Sequence, residues 1–229
     1  MSIRDIDPGY LDRQGLLAEH RELHGIVTVL ARGNKGYAGR PEISRWSGYG
    51  WALRQRHRLL VCEMNLRGYR DHSPDLTRSA AGMWPDSFIA SPAEQFRRLD
   101  SQYAGGAAGR IPLPTSVQQL WSQHKYSLLA RSPILYSALG REIAANARGF
   151  DALAMLLVTQ MRQAPSPGGI RNALQHMWGY VNDCPSQPES DLSAWSTTRL
   201  LREVQRRAIA GQVNYLLAST ALAELMAWL

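Results

Sequence analysis

Lysine is almost missing from this chain. Of its 26 basic residues only Lys35 and Lys125 are lysines; the rest are arginines. Cysteine is as scarce. Cys62 and Cys184 stand far apart, which excludes a disulfide framework and suits a reducing compartment. No apolar run approaches the ~18–20 residues needed to span a bilayer. Residues 1–20 carry charges throughout, so no signal peptide is expected either. Repeats and low-complexity tracts are also absent. These absences predict a cytoplasmic protein with no membrane partner.

The chain has 229 residues and 45% hydrophobic content, enough for one large or two small domains with an ordinary core. Its net charge of +7 is unevenly spread. From Arg32 to Arg70, Arg32, Lys35, Arg40, Arg45, Arg54, Arg56, Arg58, Arg67 and Arg70 are opposed only by Glu42 and Glu63. Tyr37, Trp46, Tyr49, Trp51 and Tyr69 are interleaved with them. Arginine favours bidentate phosphate and base-edge contacts, and basic residues with aromatics suit phosphate neutralisation plus base stacking. The plainer reading is a solvated basic face with tryptophans in the core.

Periodicity predicts an all-α fold. Asp7 and Pro8 read as N-cap and first residue of a helix whose apolar stripe is Leu11, Leu17, Leu23 and Val27. On it Gln14, Ala18 and Glu22 share one face, with Glu19 beside Glu22. Residues 33–50 read as a loop with two turns. Trp51–Arg67 reads as a second helix with Leu53, Leu60, Val61 and Met64 inward, stopped by Gly68. The stretch 71–109 reads mostly as loop, with a short helix over Glu94–Tyr103. GGAAGRIPLP at 105–114 is the linker candidate, dividing the chain into parts 1–110 and 111–229. Beyond it, helices are expected from Thr115 or Ser116 to Arg131, Pro133 to Ala147, Phe150 to Gln163, Ile170 to Asn182, Ser190 or Asp191 to Ala210, and Gln212 to Trp228. His20 and His24 have the i,i+4 spacing of metal ligands, but sequence places no third ligand beside them, so no metal is expected. His57 reads as a phosphate contact or, more plainly, as a packed or solvated histidine.

Three runs carry a resemblance: LDRQGLLAEHREL at 11–23, GNKGY at 33–37 and EMNLRGY at 63–69. With the uninterrupted spacing from residue 1 to Arg21 and Glu22, they resemble the small all-α pyrimidine-dimer DNA glycosylase/AP lyases, the endonuclease V family first known from phage. The resemblance implies the α-amine of residue 2 as nucleophile, exposed by removal of Met1, and a first-helix glutamate that handles protons. These carry over to Ser2 and Glu22. Arg21 becomes a phosphate or sugar contact and Gln14 a DNA contact. Gly15 departs from the phage member, which has histidine there. The chemistry suits the residue types: an α-amine titrates near about 7.7–8.0, against about 10.4 for lysine, so much of it is neutral and nucleophilic at neutral pH.

The second half resembles an uncharacterised helical domain family, on LWSQHKYSLLARSPILYSALG at 120–140 and RNALQHMWGYVND at 171–183. That family occurs alone and attached to desulfidase domains acting on thiolated uracil, where a tRNA-binding role has been attributed to it. Candidate contacts there are Lys125, Tyr126, Arg131, Asn172, His176 and Tyr180. HKYSLLARSPILY at 124–136 also fits the glycosylase pattern loosely, so the helix at 116–131 is open to either part. Trp121, Trp178, Trp195 and Trp228 read as core.

The expectation is therefore a repair enzyme acting on UV-damaged pyrimidines through an N-terminal Schiff base and β-elimination, without metal or organic cofactor. Damaged duplex DNA is the expected partner. Ser2 and Glu22 are the catalytic candidates. Arg4, Gln14, Arg21, Lys35, Tyr37, Arg40, Arg54, Arg56, Lys125, Arg131, Asn172 and His176 are the nucleic-acid contacts. The alternatives are a non-catalytic tRNA-binding module and an enzyme acting on modified or photodamaged RNA nucleosides. Oligomeric state stays open.

Overall fold

The computed structural model describes residues 3–32, 39–73, 82–182 and 192–229, and among these it is all-α, without a strand. The chain divides into two compact units, residues 1–109 and 110–229.

The first unit holds α1 (Arg13–Arg32), α2 (Pro41–Trp46), α3 (Gly50–Leu66) and α4 (Pro92–Tyr103). Asp7 caps only a 3-10 turn over Pro8–Tyr10. The true start of α1 is Asp12, whose side chain accepts from Gly15 N at 2.8 Å and whose carbonyl accepts from Leu16 N. The helix therefore begins five residues later than its proline suggests. Leu16, Leu23, Ile26 and Val27 face the core, whereas Leu17 lines a surface cleft. α2 arises inside the stretch read as loop because Pro41 supplies a ready-made first turn. Gly68, at φ +82°, ends α3 in the left-handed region that glycine tolerates.

Three arginines of α2, α3 and their flanks tie down the first residues of the chain. Arg45 donates to Asp5 Oδ1 at 2.5 Å and to the Ile3 carbonyl at 3.4 Å. Arg56 donates to the Ile6 carbonyl at 2.9 Å. Arg67 donates to the carbonyls of Leu11 and Gly9, at 2.7 and 3.1 Å. Gln95 of α4 accepts from the Asp5 N–H at 2.7 Å. Ile3 and Ile6 are each 1% exposed. Chain termini usually fray; this one is bolted to the core from its third residue.

The second unit holds α5 (Val117–Leu129), α6 (Pro133–Ala144), α7 (Phe150–Met161), α8 (Pro167–Trp178), α9 (Thr197–Ala210), α10 (Asn214–Leu217) and α11 (Ala221–Glu224), followed by a 3-10 turn, Leu225–Trp228. Serine N-caps recur: Ser116, Ser132, Ser166 and Ser196 each accept from a backbone N–H three residues on. At Ser132 and Ser166 a proline follows at the first helical position. Ser190 and Asp191 lie outside the described residues; α9 starts at Thr197, capped by Ser196. Residues 212–228 are broken rather than one helix, because Thr220 turns away to α5, its N–H and hydroxyl both bonding the Gln123 carbonyl. Trp121, Trp178 and Trp195 are buried.

α5 lies at the centre of this unit and buries His124, whose Nδ1–H donates to the Leu120 carbonyl at 2.9 Å. Burial lowers its pKa to about 4. The unfolded chain would take up a proton near pH 6.5 that the folded unit refuses until about pH 4. Stability is therefore whole above pH 6.5 and falls as pH drops through that window, by about 3 kcal/mol at its acid end. Urea midpoints measured between pH 4.5 and 7 should show this slope, and it should flatten in His124→Gln.

Candidate functional site

One side of α1 forms the wall of two adjoining clefts. The larger, about 760 Å³, is lined by residues including Arg4, Gln14, Leu17, Arg21 and Tyr103. The smaller, about 390 Å³, is lined by residues including Glu22, Ile26, Arg40 and Ile43. Ala18 and Arg21 belong to both. Arg4, Gln14, Arg21, Glu22 and Arg40 are thus gathered along one groove. Arg4 also reaches Glu19 Oε2 at 3.3 Å.

Glu19 does not stand beside Glu22. It is 1% exposed, and its Oε1 accepts from Arg56 Nε at 2.9 Å and Nη2 at 2.5 Å. Three residues along a helix is about 300° of rotation, or 60° the other way. That is enough at the edge of a stripe to put one carboxylate in the core and its neighbour in the cleft. Arg56, expected to meet nucleic acid, is a correction: its guanidinium is buried and spent on Glu19 and Ile6. Arg45 and Arg67 are likewise internal, so a third of the basic run serves the fold. Arg40, Arg58 and Arg70 are exposed, and Arg54 is half-buried. Ser2, Lys35 and Tyr37 lie outside the described residues.

In the second unit Arg131 is also a correction. Its side chain is 2% exposed and paired with Glu224. Lys125, Tyr126 and Tyr180 do come together, joined by Tyr215, which the sequence reading missed. Lys125 Nζ lies 4.9 Å from the ring centres of both Tyr126 and Tyr215, and Tyr180 and Tyr215 are 4.8 Å apart. Burial, then the hydroxyls of Tyr180 and Tyr215, push the Tyr126 phenol upward. Tyr180 and Tyr215 stay partly exposed, so the group is a tyrosine platform with a cation. His176 is exposed and Asn172 half-buried on α8. A third cleft, lined by Trp195, Arg199, Arg202, Glu203 and Arg206 of the α9 region, had no distinct sequence signal beyond its arginines.

Away from both clefts of α1, His20, His24 and His57 converge, with ligand atoms within 4.8 Å of one another. His57 comes from α3 and could not be paired with His20 from spacing alone. Asp71 completes the group, its Oδ1 3.4 Å from His20 Nε2 and its Oδ2 3.4 Å from His57 Nε2. Burial lowers the His20 pKa against the pull of Asp71. Burial pushes the Asp71 carboxyl up, but hydrogen bonds from Ser73 outweigh it and hold the group below its ordinary value.

Residues 1–77 match the family model described as pyrimidine dimer DNA glycosylase. Residues 125–220 match a model described as protein of unknown function (DUF1722). No curated protein and no solved structure matches the chain. The N-terminal unit is thus similar, over residues 1–77, to the pyrimidine dimer DNA glycosylase family, and the C-terminal unit, over residues 125–220, to a family of unknown function.

Proposed function

We propose that the N-terminal unit is a DNA glycosylase/AP lyase that uses the α-amine of Ser2, after removal of Met1, against UV-damaged pyrimidines. The observation that carries this reading is the anchoring of residues 3–11 by Arg45, Arg56 and Arg67. Pinning residues 3–11 fixes the backbone that follows Ser2, and a terminal nucleophile requires such positioning. Arg4, two residues further on, stands in the cleft wall with Arg21, and Glu22 borders the adjoining cleft.

In the proposed reaction the amine nitrogen attacks C1′ of the damaged nucleotide. The C1′–N bond to the base breaks with its electron pair going to the base nitrogen, which takes up the proton the attacking amine gives up; the freed base stays joined to its neighbour through the cyclobutane ring. Opening of the sugar ring gives an iminium. Glu22 removes the now acidic C2′ proton, the electrons form a C2′–C3′ double bond, and the 3′-phosphate departs. The carboxylate also stabilises the cationic intermediate. Arg21, Arg40 and Gln14 would hold the flanking phosphates, and an already distorted dimer lowers the cost of exposing the nucleotide. The tyrosine platform and the α9 arginines of the second unit would add further grip, on DNA or on folded RNA.

Borohydride trapping tests the reading. Protein confirmed by mass to lack Met1, mixed with duplex DNA carrying a cyclobutane dimer or an abasic site, should give a covalent adduct mapping to Ser2. Glu22→Gln should slow strand cleavage about 10²–10⁴-fold while remaining folded. Absence of any adduct with either DNA, alongside binding to tRNA, would replace the enzyme with an RNA-recognition module.

A further inference from the structure

The histidine cluster takes no part in that chemistry. His20 and His24 are, respectively, two residues before and two after Glu22. Each is therefore about 200° around the helix from it, on the side of α1 that meets α3. There the two helices make two neighbouring contacts: Glu19 with Arg56, and His20 with His57.

The distances are informative. His20 Nε2 lies 3.1 Å from His57 Nε2 and 3.3 Å from His24 Nε2. It is also 3.4 Å from Asp71 Oδ1. An imidazole Nε2 carries either one hydrogen or one lone pair, so it satisfies one of these neighbours and not three. A cation at the centre satisfies all of them. Tetrahedral zinc, with ligands at about 2.0–2.1 Å, places its ligand atoms about 3.3–3.4 Å apart. The three distances from His20 Nε2, between 3.1 and 3.4 Å, fall close to that edge, and the three histidine ligand atoms all lie within 4.8 Å of one another. The side chains of His20, His57 and Asp71 are only 10%, 12% and 8% exposed, so the centre is largely dry. Asp71 is oriented by Ser73, whose N–H and hydroxyl both donate to its Oδ1. Such a hydrogen bond to a ligating carboxylate is a common outer partner of metal sites.

We propose that His20, His24 and His57, with Asp71 beside His20 and His57, form a site for a divalent transition metal of the zinc class. Imidazole nitrogens with one carboxylate suit zinc and exclude calcium and magnesium, which take oxygen ligands. With Asp71 as the fourth ligand to the three histidines, the coordination shell would be closed and the metal's role structural. It fastens α1 to α3 and draws the chain beyond α3, at Asp71, onto both helices. The proposal stands apart from the glycosylase reading, and either can fail alone.

The test is metal binding by the full chain, stripped with a chelator and then loaded with Co²⁺ or Zn²⁺ alone. One Zn²⁺ per chain should survive dialysis, and Co²⁺ should give the intense visible bands of tetrahedral coordination, bleached by added Zn²⁺. Removing even an outer partner of a ligand typically weakens binding 10–100-fold. His57→Gln and Asp71→Asn should therefore each weaken Zn²⁺ by at least about 100-fold, and Cys62→Ser should change nothing. Should His57→Gln not fold by circular dichroism, His24→Gln, at a half-exposed position, gives the same reading. Folded wild-type protein without cobalt bands, or bands that persist in the histidine variants or vanish with Cys62, would overturn the site.

Discussion

Glu19→Gln should destabilise the N-terminal unit by about 3–5 kcal/mol, the cost of breaking a buried ion pair by removing one partner. The same change at Glu22 should cost less than about 0.5 kcal/mol, as surface substitutions do. The reason is the company each keeps. Glu19 Oε1 accepts twice from Arg56, and Oε2 accepts from Arg4. A carboxamide offers one acceptor in place of two and no charge, so the buried Arg56 guanidinium is left without a counter-ion. The effect reaches the chain terminus, because Arg56 also holds the Ile6 carbonyl. Borohydride trapping should therefore fall in Glu19→Gln together with stability, whereas Glu22→Gln should lose strand cleavage from a fully stable fold. Urea unfolding combined with hydrogen exchange of α1 and α3 amides separates the two. A double variant, Glu19→Leu with Arg56→Met, should recover much of the stability lost by Glu19→Gln, since apolar replacement of a buried pair is often neutral or better. Equal and small losses at both glutamates would show that Glu19 is not the anchor of Arg56.

This contrast marks where sequence stops being readable. Helical periodicity finds α1 and α3, and the matched runs point to a glycosylase domain. Periodicity cannot say on which side of the stripe's edge Glu19 and Glu22 fall, because packing against Arg56 settles it. Nor does it show that Arg45, Arg56 and Arg67 turn inward. A run of arginines looks the same whether it binds phosphate or backbone carbonyls, and the carbonyls here belong to residues 3–11, some 40–60 positions away. His57 and Asp71 were invisible as partners of His20 for the same reason. Local chemistry was underused in one respect: Ser91–Pro92 and Ser166–Pro167 stand in stretches read as loop, yet each is a serine cap with proline at the first helical position. At the other end of the chain, the break before α11 depends on Thr220 finding the Gln123 carbonyl, a contact that only the folded unit supplies.

Arg131 poses the same question in the second unit, and there the structure allows a sharper prediction. All five guanidinium N–H groups have acceptors. Nη1 donates to Glu224 Oε1 at 3.0 Å and to the Ser127 carbonyl at 2.8 Å. Nη2 donates to Glu224 Oε2 at 3.0 Å and to the Met161 carbonyl at 3.2 Å, and Nε donates to the Gln163 carbonyl at 2.7 Å. The residue thus caps carbonyls at the ends of α5 and α7, which have no partners within their own helices, and binds α11 through a bidentate pair. Trp228 closes the group, its Nε1–H donating to Glu224 Oε2 at 3.1 Å. Arg131→Met should cost about 3–5 kcal/mol, because it strands a buried carboxylate. Arg131→Lys should recover only part of this, since an ammonium has three donors and no planar fork. Any loss of nucleic-acid affinity in Arg131→Met should then follow the unfolded fraction and disappear at temperatures where the variant is folded. Lys125→Ala, at the tyrosine platform, should do the reverse, leaving the urea midpoint nearly unchanged while lowering affinity and the salt dependence of binding. If Arg131→Met unfolds like wild type, the bidentate pair is not holding α11, and Arg131 returns to the set of candidate phosphate contacts.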